Sequence, residues 1–324
     1  MTTYHIAQTD LDVSRIALGT MTLGGSWDQT PVTQTVRESA RVLIEAAVEH
    51  GITHVDLADI YTLGKSDEAV GYALAQNPGL RETLVLQQKA GIRLGSDPAN
   101  GLPTRYDFSF DHLVGTVERS LVRLGTDHVD LLAFHRPDLL AEPEEVARAA
   151  SHLRDSGKVR HFGVSNHSAA QIELLKTCVD VPLVVNQLEL SLLHPYLISG
   201  GALVNQTAGV YAHADGLLDY CRLHGILVQA WSPLGGGKLV DPGADAPATV
   251  RAAASAVARL AAEKGTTPEA VALAWILRHP AGIQPVVGTR QPARLAAAVE
   301  ADGLVLDRAE WYGLLAAARG ADVP

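Results

Sequence analysis

The 324-residue chain contains few cysteines and no long apolar run, and both absences limit what it can be. Cys178 and Cys221 are its only cysteines. Two thiols are too few for the disulfide framework of a secreted protein, so we expect reduced side chains and a cytoplasmic location. No stretch of about 18 uninterrupted apolar residues is present, which argues against a membrane span. The first residues also lack the basic start and apolar run of a secretory signal.

Positive charge is scarce as well: 26 Lys and Arg stand against 36 Asp and Glu, a net charge of −10. An acidic surface argues against nucleic acid and anionic membranes as main partners, but it leaves room for a local basic pocket. Histidine and cysteine are nowhere spaced as zinc ligands, so we expect no metal site. The first predicted strand runs into IALGTMTLGG, which is not the glycine-rich fingerprint of a dinucleotide-binding sheet.

The sequence does contain short apolar runs that alternate with longer amphipathic ones along nearly its whole length. Eight β-runs, each followed by a helix, predict a parallel sheet, because parallel strands need crossover connections. A doubly wound sheet is the main competitor, but a (β/α)8 TIM barrel accounts for the count of eight and for a single domain over residues 1–324. The predicted strands are 16–20, 53–57, 83–88, 129–134, 159–164, 183–187, 226–231 and 283–287. The predicted helices are 35–49, 67–76, 110–124, 143–156, 168–176, 215–224, 249–264 and 291–301, with an additional helix at 266–279.

Polar or ionisable side chains follow nearly every predicted strand. In TIM barrels the chemistry takes place at the carboxyl-terminal ends of the strands, so we expect these side chains to meet at one rim. The loops 89–109 and 188–214 are long for a compact domain and are typical of lids or substrate walls. The residues at the predicted rim are Asp56, Tyr61, Lys89, His135, Ser165, Asn166, Gln187, Trp231 and Ser232.

Several segments, in order, resemble the aldo-keto reductase family. GITHVDLADIYTLGKSDEAVGYAL resembles the segment in which an apolar strand gives an Asp and, five residues later, a Tyr. LVLQQKAG resembles the strand that delivers the family's Lys, and VDLLAFHRPD the strand that delivers its His. GKVRHFGVSNH, VVNQLELSLLH, GILVQAWSPLGGGKL and PVVGTR also match, so the resemblance extends from Gly19 to Arg294. Within the family the chain looks most like bacterial oxidoreductases whose fourth strand ends in HRPD.

The resemblance implies a catalytic tetrad of Asp56, Tyr61, Lys89 and His135. Carbonyl reduction needs a hydride at carbon and a proton at oxygen, and a phenol with a pKa of about 10 donates its proton reluctantly. A lysine ammonium beside Tyr61 would favour the phenolate and make Tyr61 a stronger acid, while Asp56 would hold Lys89 charged and in place. His135 would orient the carbonyl or help to move the proton. Asp59 does not occupy the family's Asp position, and we expect it to stabilise a local turn or cap a helix.

The resemblance also implies a nicotinamide cofactor, NADPH rather than NAD. The amides near strands five and six match the family's carboxamide contacts, and Trp231 matches its aromatic ring beside the nicotinamide, with core packing as the alternative. The loop SPLGGGKL (232–239) resembles the one over the pyrophosphate, and GTRQPAR (288–294) the one that binds the 2′-phosphate. Ala297-Ala298 departs from the Glu-Asn of many members, which leaves the choice between NADP and NAD open. The implied cofactor contacts are Gly19, Thr20, Met21, Asp56, Ser165, Asn166, Gln187, Trp231, Ser232, Pro233, Leu234, Gly235, Gly236, Lys238, Gly288, Thr289, Arg290 and Arg294.

The implied activity is NADPH-dependent reduction of an aldehyde or ketone, with hydride from the nicotinamide and a proton from Tyr61. A nucleotide-binding sensor or regulatory subunit on the same fold is the alternative, and an unrelated metal-dependent barrel enzyme is a third. The sequence specifies neither the carbonyl substrate, nor the physiological direction, nor the oligomeric state. Expected substrate contacts are Trp27, Tyr61, Tyr106 and His135, with Phe108 and residues 188–214 as further walls of a partly aromatic pocket.

Overall fold

Eight parallel strands of the chain close into a barrel. The computed structural model describes residues 1–97, 103–202 and 216–322. Around the barrel the strands follow one another in chain order, and the last one hydrogen-bonds to the first. The described strands are β1 (Thr3–His5), β2 (Asp12–Ser14), β3 (Ala17–Gly19), β4 (His54–Asp56), β5 (Val85–Ala90), β6 (Ile92–Arg93), β7 (Arg105–Tyr106), β8 (Val129–Phe134), β9 (Val159–Ser165), β10 (Leu183–Glu189), β11 (Leu227–Trp231) and β12 (Gln284–Gly288). The barrel consists of β3, β4, β5, β8, β9, β10, β11 and β12.

Helices connect the successive barrel strands, as crossovers between parallel strands require. The described helices are α1 (Gln34–Glu49), α2 (Lys65–Gln76), α3 (Leu80–Thr83), α4 (Phe110–Leu124), α5 (Pro143–Asp155), α6 (Ala169–Lys176), α7 (Tyr196–Ser199), α8 (Leu217–Leu223), α9 (Ala248–Lys264), α10 (Pro268–Leu277), α11 (Pro292–Val299) and α12 (Arg308–Arg319). The predicted (β/α)8 barrel is confirmed. The doubly wound alternative is wrong, because its sheet would be open and this one closes on itself.

Helix α4 illustrates why the amphipathic segments become helices against the barrel. The Ser109 hydroxyl accepts a hydrogen bond from the backbone N–H of His112 and so caps the first turn. Gly125, at a φ of 66°, ends the helix in the left-handed conformation that suits glycine. Leu113 and Val117, one turn apart, are fully buried. Each such side chain stabilises the fold by about 1.5–3 kcal/mol through removal of its apolar surface from water.

Two hairpins and three helices, among them the short α3 and α7, were absent from the sequence-based prediction. A β1–β2 hairpin precedes the barrel, a second short hairpin joins β6 to β7, and α12 ends the described chain. Helix α12 does carry a signal, since Asp307 and Glu310 form a capping box at its start. The additional helix predicted at 266–279 is α10, and the Thr267 hydroxyl caps it as expected.

The β1–β2 hairpin packs on the amino-terminal end of the barrel. Its apolar side chains Ile6, Leu11 and Val13 form a buried cluster with Leu131 and Ala133 of β8 and with neighbouring residues of β10. The hairpin therefore covers the amino-terminal end. The opposite end, where the strands finish, is the rim at which the sequence predicts the chemistry.

Candidate active site

Lys89 lies at the centre of the polar residues on the rim. Its ammonium nitrogen is 2.7 Å from Asp56 Oδ1, and it donates to the Tyr61 hydroxyl at 3.0 Å and to the Leu57 carbonyl at 2.7 Å. An ammonium group has three N–H donors, so these three contacts use all of them. The lysine side chain is 1% exposed. A buried cation of this kind needs its partners, and the three contacts fix its position.

Asp56 is held from the barrel interior as well as by Lys89. Its Oδ1 accepts hydrogen bonds from the side-chain amides of Gln187 at 2.7 Å and Gln87 at 3.1 Å. The backbone carbonyl of Asp56 accepts from the Thr20 hydroxyl at 2.9 Å, which ties β4 to the end of β3. The Oδ1 atom of Asp56 therefore accepts from two neutral amides and also contacts the lysine cation.

A turn with unusual backbone geometry positions Tyr61. The three residues after it have left-handed backbones, with φ of 49° at Thr62, 60° at Leu63 and 88° at Gly64. This conformation costs a non-glycine residue about 1–2 kcal/mol, so the surrounding structure must hold it. A Cβ atom on Gly64 would lie 2.4 Å from the Arg123 guanidinium, so the turn packs tightly against α4. Such strain is characteristic of segments that place a functional side chain.

His135 completes the group. Its ring meets the Tyr61 ring edge to face, with centroids 6.2 Å apart. Burial, followed by the charges of Lys89 and Arg136, lowers the pKa of His135 well below its ordinary value of 6.5. The imidazole is therefore neutral near neutral pH, and a neutral ring can still donate or accept one hydrogen bond at each nitrogen according to its tautomer. Its Nδ1 is buried without a hydrogen-bond partner among the described residues.

The protonation of Tyr61 is governed by opposing effects. Burial raises its pKa above the ordinary 10.0, while the Lys89 charge lowers it and the Asp56 charge raises it again. The acidifying effect of Lys89 that the sequence predicts is present, but burial outweighs it. Burial also lowers the pKa of Lys89, yet Asp56 and Tyr61 outweigh that, so its pKa lies above 10.5 and the lysine stays charged.

The amide residues of the rim form a second hydrogen-bonded group next to the tetrad. The Asn166 amide donates to the Ser165 hydroxyl at 2.7 Å, and its oxygen accepts from the Trp231 indole N–H at 3.2 Å. Both N–H groups of Gln187 are used, by Asp56 and by Gln229. Gln187 can therefore bind a ligand only through Oε1, as an acceptor. A carboxamide N–H is a matching donor, so this group of residues fits a nicotinamide.

Trp231 ends β11 with its indole partly exposed. The Arg136 guanidinium lies 5.7 Å from the ring centroid, within cation–π range. Asn166 and Ser232, next to these aromatic and amide groups, both have positive φ values of 62° and 52°. The strained backbone therefore recurs at the ends of β9 and β11, as it does after Tyr61.

The glycine loop after β11 could accept a phosphate group. Gly235, Gly236 and Gly237 all have positive φ, and a Cβ on Gly236 or Gly237 would meet nothing within 4 Å. The space beside their backbone is therefore open, and glycine allows close backbone approach to an anion. Lys238 is exposed beside this loop. Pro233 is buried and Leu234 is half-buried. These two predicted contacts are therefore less accessible to a ligand than the exposed Gly236 and Lys238.

The predicted phosphate-binding arginines lie beyond β12. Arg290 and Arg294 are both exposed, and neither has a salt bridge within the described parts of the chain. The Thr289 hydroxyl accepts a hydrogen bond from the Gln291 N–H, which shapes the turn before α11. Arg290 borders a surface cavity of about 480 Å³ against α1. Of the other predicted contacts, Gly19 ends β3, Met21 is 52% exposed and Gly288 ends β12.

The predicted substrate walls have different environments. Trp27 is 48% exposed and Tyr106 is 42% exposed, so both offer an aromatic surface to a ligand. Phe108 is buried to 2% exposure between Phe134 and His167, so its prediction as a wall is wrong: it belongs to the core. Of the predicted wall 188–214, residues 203–214 lie outside the described residues.

Asp59 lies outside the tetrad, in the turn between β4 and Tyr61, and it caps neither of the helical turns that follow. Its Oδ1 is buried with no hydrogen-bond partner in the described ranges. Burial, followed by the charge of Asp67, raises its pKa to about 8, against the lowering effect of Arg119 and Arg123. Burial likewise raises the pKa of Asp67 to about 6. The two aspartates form a buried acidic pair behind the active site.

Three residues near the site were not predicted: Gln87, Gln229 and Gln284. They are fully buried and extend the hydrogen bonds of Asp56 into the barrel. The alternation of strand residues could have indicated two of them, because Gln87 precedes Lys89 by two residues and Gln229 precedes Trp231 by two. In the described residues, no group of three or more histidine, cysteine or acidic side chains could hold a metal ion, and no helix is long and apolar enough to cross a membrane.

Comparisons with known proteins give a consistent result. The sequence model described as the Aldo/keto reductase family matches residues 15–317. The Bacillus subtilis protein called uncharacterized oxidoreductase YcsN is 40% identical over 285 residues, 87% of this chain and 89% of that protein. The Escherichia coli oxidoreductase YdhF is 39% identical over 289 residues, 88% of this chain and 90% of its own.

Two further matches are similarly extensive. The 6-dehydroglucose reductase of Novosphingobium aromaticivorans is 36% identical over 306 residues, 93% of this chain and 92% of that one. Among solved structures, the glycerol dehydrogenase AKR11B4 from Gluconobacter oxydans superposes with a TM-score of 0.80 at 27% identity. That match covers 97% of this chain and 95% of the other.

Proposed function

The chain belongs to the aldo-keto reductase family of enzymes, and from this premise we propose that it is an NADPH-dependent reductase of aldehydes or ketones in which Tyr61 donates the proton. The observation that carries the proposal is the single ammonium group of Lys89, which contacts both Tyr61 and Asp56. The proposal treats residues 1–324 as one catalytic domain in the cytoplasm.

In the proposed reaction a reduced nicotinamide supplies the hydride to the carbonyl carbon. The carbonyl oxygen then needs a proton, and the hydroxyl of Tyr61, at the rim of the barrel, would donate it. Lys89 stabilises the phenolate that Tyr61 leaves behind, because its charge lies 3.0 Å from the phenol oxygen. Asp56 keeps Lys89 charged and in place, and its own charge opposes ionisation of Tyr61.

His135 has the role of orienting the carbonyl in this proposal. Its imidazole is neutral near neutral pH, so it can donate one hydrogen bond to a carbonyl oxygen without adding a second cation to the site. The ring lies edge to face with Tyr61, so both side chains can contact the same oxygen atom. Trp27 and Tyr106 would form the outer walls of the substrate site.

The proposed cofactor contacts follow the rim of the barrel. Ser165, Asn166 and the Oε1 of Gln187 would bind the carboxamide, and Trp231 would lie beside the nicotinamide ring. The backbone of the glycine loop would approach the pyrophosphate. Arg290 and Arg294 would bind the 2′-phosphate, and their planar guanidinium groups are the basis for proposing NADPH over NADH.

The test is the rate at which the protein consumes NADPH and NADH with a panel of aldehydes, ketones, quinones and sugars. Because two relatives are named 6-dehydroglucose reductase, carbonyl derivatives of sugars come first in the panel. We expect turnover with at least one class and a preference for NADPH. Tight NADPH binding without turnover across the panel would contradict the proposal and favour a nucleotide-binding sensor. Loss of activity in chelator would favour a metal enzyme.

A further inference from the structure

We propose that Gln87, Gln229 and Gln284 are positioning residues for the proposed reaction: a chain of amide hydrogen bonds across the barrel holds the Asp56 carboxylate against Lys89 and disperses its charge. The inference rests on the proposed function, since it concerns the acidity of Tyr61. All three glutamines are fully buried, and each acts through Asp56.

The geometry of the chain is continuous from Asp56 to the amino-terminal end of the barrel. Gln87 donates to Asp56 Oδ1 at 3.1 Å and to Gln229 Oε1 at 2.7 Å. Gln229 donates in return to Gln87 Oε1 at 2.9 Å and onward to Gln284 Oε1 at 2.9 Å. Gln284 donates to the backbone carbonyl of Ser14 at 2.7 Å, in the last residue of the covering hairpin.

Strand register brings these residues together. Gln87 is the direct partner of Asp56 in the β4–β5 pair, and Gln229 is the direct partner of Gln284 in the β11–β12 pair. Strands β5 and β11 lie four positions apart in a ring of eight, so the reciprocal Gln87–Gln229 amide pair spans the barrel interior. Interiors of such barrels are usually filled by branched apolar side chains, which makes a polar chain here informative.

The orientation of the amides is determined at both ends. Ser14 offers a carbonyl oxygen and Asp56 offers a carboxylate oxygen, and both can only accept. Each end therefore requires the N–H side of a glutamine, and Gln87 and Gln229 each use both of their N–H groups. A satisfied buried network of this kind has one arrangement, and it is expected to hold Asp56 rigidly.

The network should act on Tyr61 through the charge of Asp56. That charge raises the pKa of Tyr61, and amide donors on the same carboxylate oxygen reduce the effect by sharing the charge. The other charged or titratable groups that face this pair within the described residues are Lys89, Arg136, His135 and His54. Lys89 and Arg136 lower the pKa of Tyr61. Burial lowers the pKa of His135 well below 6.5 and that of His54 to about 4, so both rings are uncharged near neutral pH.

The chain supplies a matched pair of variants for the test. Gln87 and Gln88 are adjacent on β5 and fully buried, but Gln87 donates to Asp56, whereas Gln88 donates to Asp67 at 3.1 Å to each oxygen. The Gln88 Oε1 also accepts from the backbone N–H of Lys89 at 2.8 Å, and the Lys89 ammonium keeps its contacts to Asp56, Tyr61 and Leu57 without it. Gln87→Met and Gln88→Met therefore remove the same buried amide from opposite faces of one strand. Gln229→Met is the second test variant, and it contacts neither Lys89 nor Tyr61.

Two readouts are compared in each variant. One is the pH dependence of kcat for reduction of 4-nitrobenzaldehyde with NADPH. The other is the ultraviolet titration of Tyr61, taken as the difference between each protein and the same protein carrying Tyr61→Phe, which needs no turnover. We expect Gln87→Met to raise the pKa of Tyr61 by about one pH unit. The alkaline limb of the kcat–pH profile should move to higher pH by the same amount. We also expect a fall of about tenfold in kcat at neutral pH with unchanged NADPH affinity.

Gln229→Met should shift both readouts in the same direction by a smaller amount. If Gln87→Met does not fold, Gln229→Met alone tests the positioning role. Gln88→Met should lower thermal stability without shifting either one. If Gln87→Met and Gln229→Met lose stability but leave the Tyr61 titration unchanged, the glutamines only fill the barrel and the inference is overturned. If the parent enzyme turns over no substrate while the pKa of Tyr61 shifts as expected, the proposed function fails, and what stands is the effect of the glutamines on the acidity of Tyr61.

Discussion

The ammonium nitrogen of Lys89 lies 3.0 Å from the hydroxyl oxygen of Tyr61; the lysine is fully buried and the tyrosine half-buried. Burial makes ionisation of a phenol harder, whereas an adjacent cation makes it easier. In this protein burial has the larger effect, so the pKa of Tyr61 is raised. Lys89 limits that rise, and its removal should therefore be more damaging than the loss of an ordinary surface charge.

Tyr61→Phe should nearly abolish turnover while cofactor binding remains. The variant removes the hydroxyl alone, and a positioned general acid contributes about 10²–10⁴-fold to a rate. The measurement is NADPH consumption together with NADPH affinity by fluorescence titration. Lys89→Met should cause a similar loss. Normal turnover by Tyr61→Phe would show that another group donates the proton.

Arg290→Gln should raise the KM for NADPH by about tenfold and leave the KM for NADH unchanged, because a charged hydrogen bond is worth about 1.5–3 kcal/mol. Arg294→Gln should act in the same way. The check is steady-state kinetics with both cofactors. Arg259→Gln is the control, since Arg259 is a solvent-exposed residue of α9 that pairs with Glu263. If the KM for NADPH and the KM for NADH rose equally, these arginines would not bind the 2′-phosphate.

Gly24→Ala should be clearly more destabilising than Gly125→Ala. A Cβ on Gly24 would lie 2.5 Å from the backbone of Lys65 and Ser66, in the segment that follows Tyr61, and this backbone cannot move aside as a flexible side chain can. Alanine at Gly125 carries a backbone cost of about 1–2 kcal/mol, because its φ is 66°, but its Cβ would meet nothing within 4 Å. Melting temperatures of the two variants test this. Activity should also fall in Gly24→Ala, because the contacted segment positions Tyr61, and equal stabilities would contradict the packing argument.

Asp59→Asn should make the protein more stable at alkaline pH. Burial and Asp67 raise the pKa of folded Asp59 from 3.8 to about 8, so the folded state holds the proton more tightly than the unfolded state does. This contribution to stability is complete below pH of about 4 and is lost as pH rises towards about 8. Asparagine has no proton to lose, so melting temperature should fall less between pH of about 5 and about 9 in the variant. An identical pH dependence in both proteins would exclude Asp59 as its source.

Strand and helix positions followed closely from the sequence. The predicted strand 129–134 coincides with β8, and the predicted helix 110–124 coincides with α4, because strong apolar patterns and end signals define both. The β6–β7 hairpin escaped prediction because strands of two residues have too little pattern to recognise. Phe108 was misread as a pocket wall, since a sequence does not show which neighbours cover an aromatic ring.

The sequence by itself determined the barrel and the residues delivered to its rim, because the order of strands and helices fixes which strand ends lie on the same side. Position along a strand, together with the family resemblance, also separated Asp56 from Asp59. Only the tertiary structure decided how Asp56 is held. Strand register and the barrel diameter set which buried amides meet, and both depend on contacts between residues as far apart as Gln87 and Gln229. The burial that raises the pKa of Tyr61 and of Asp59 is likewise a property of the packed barrel and its helices rather than of any segment.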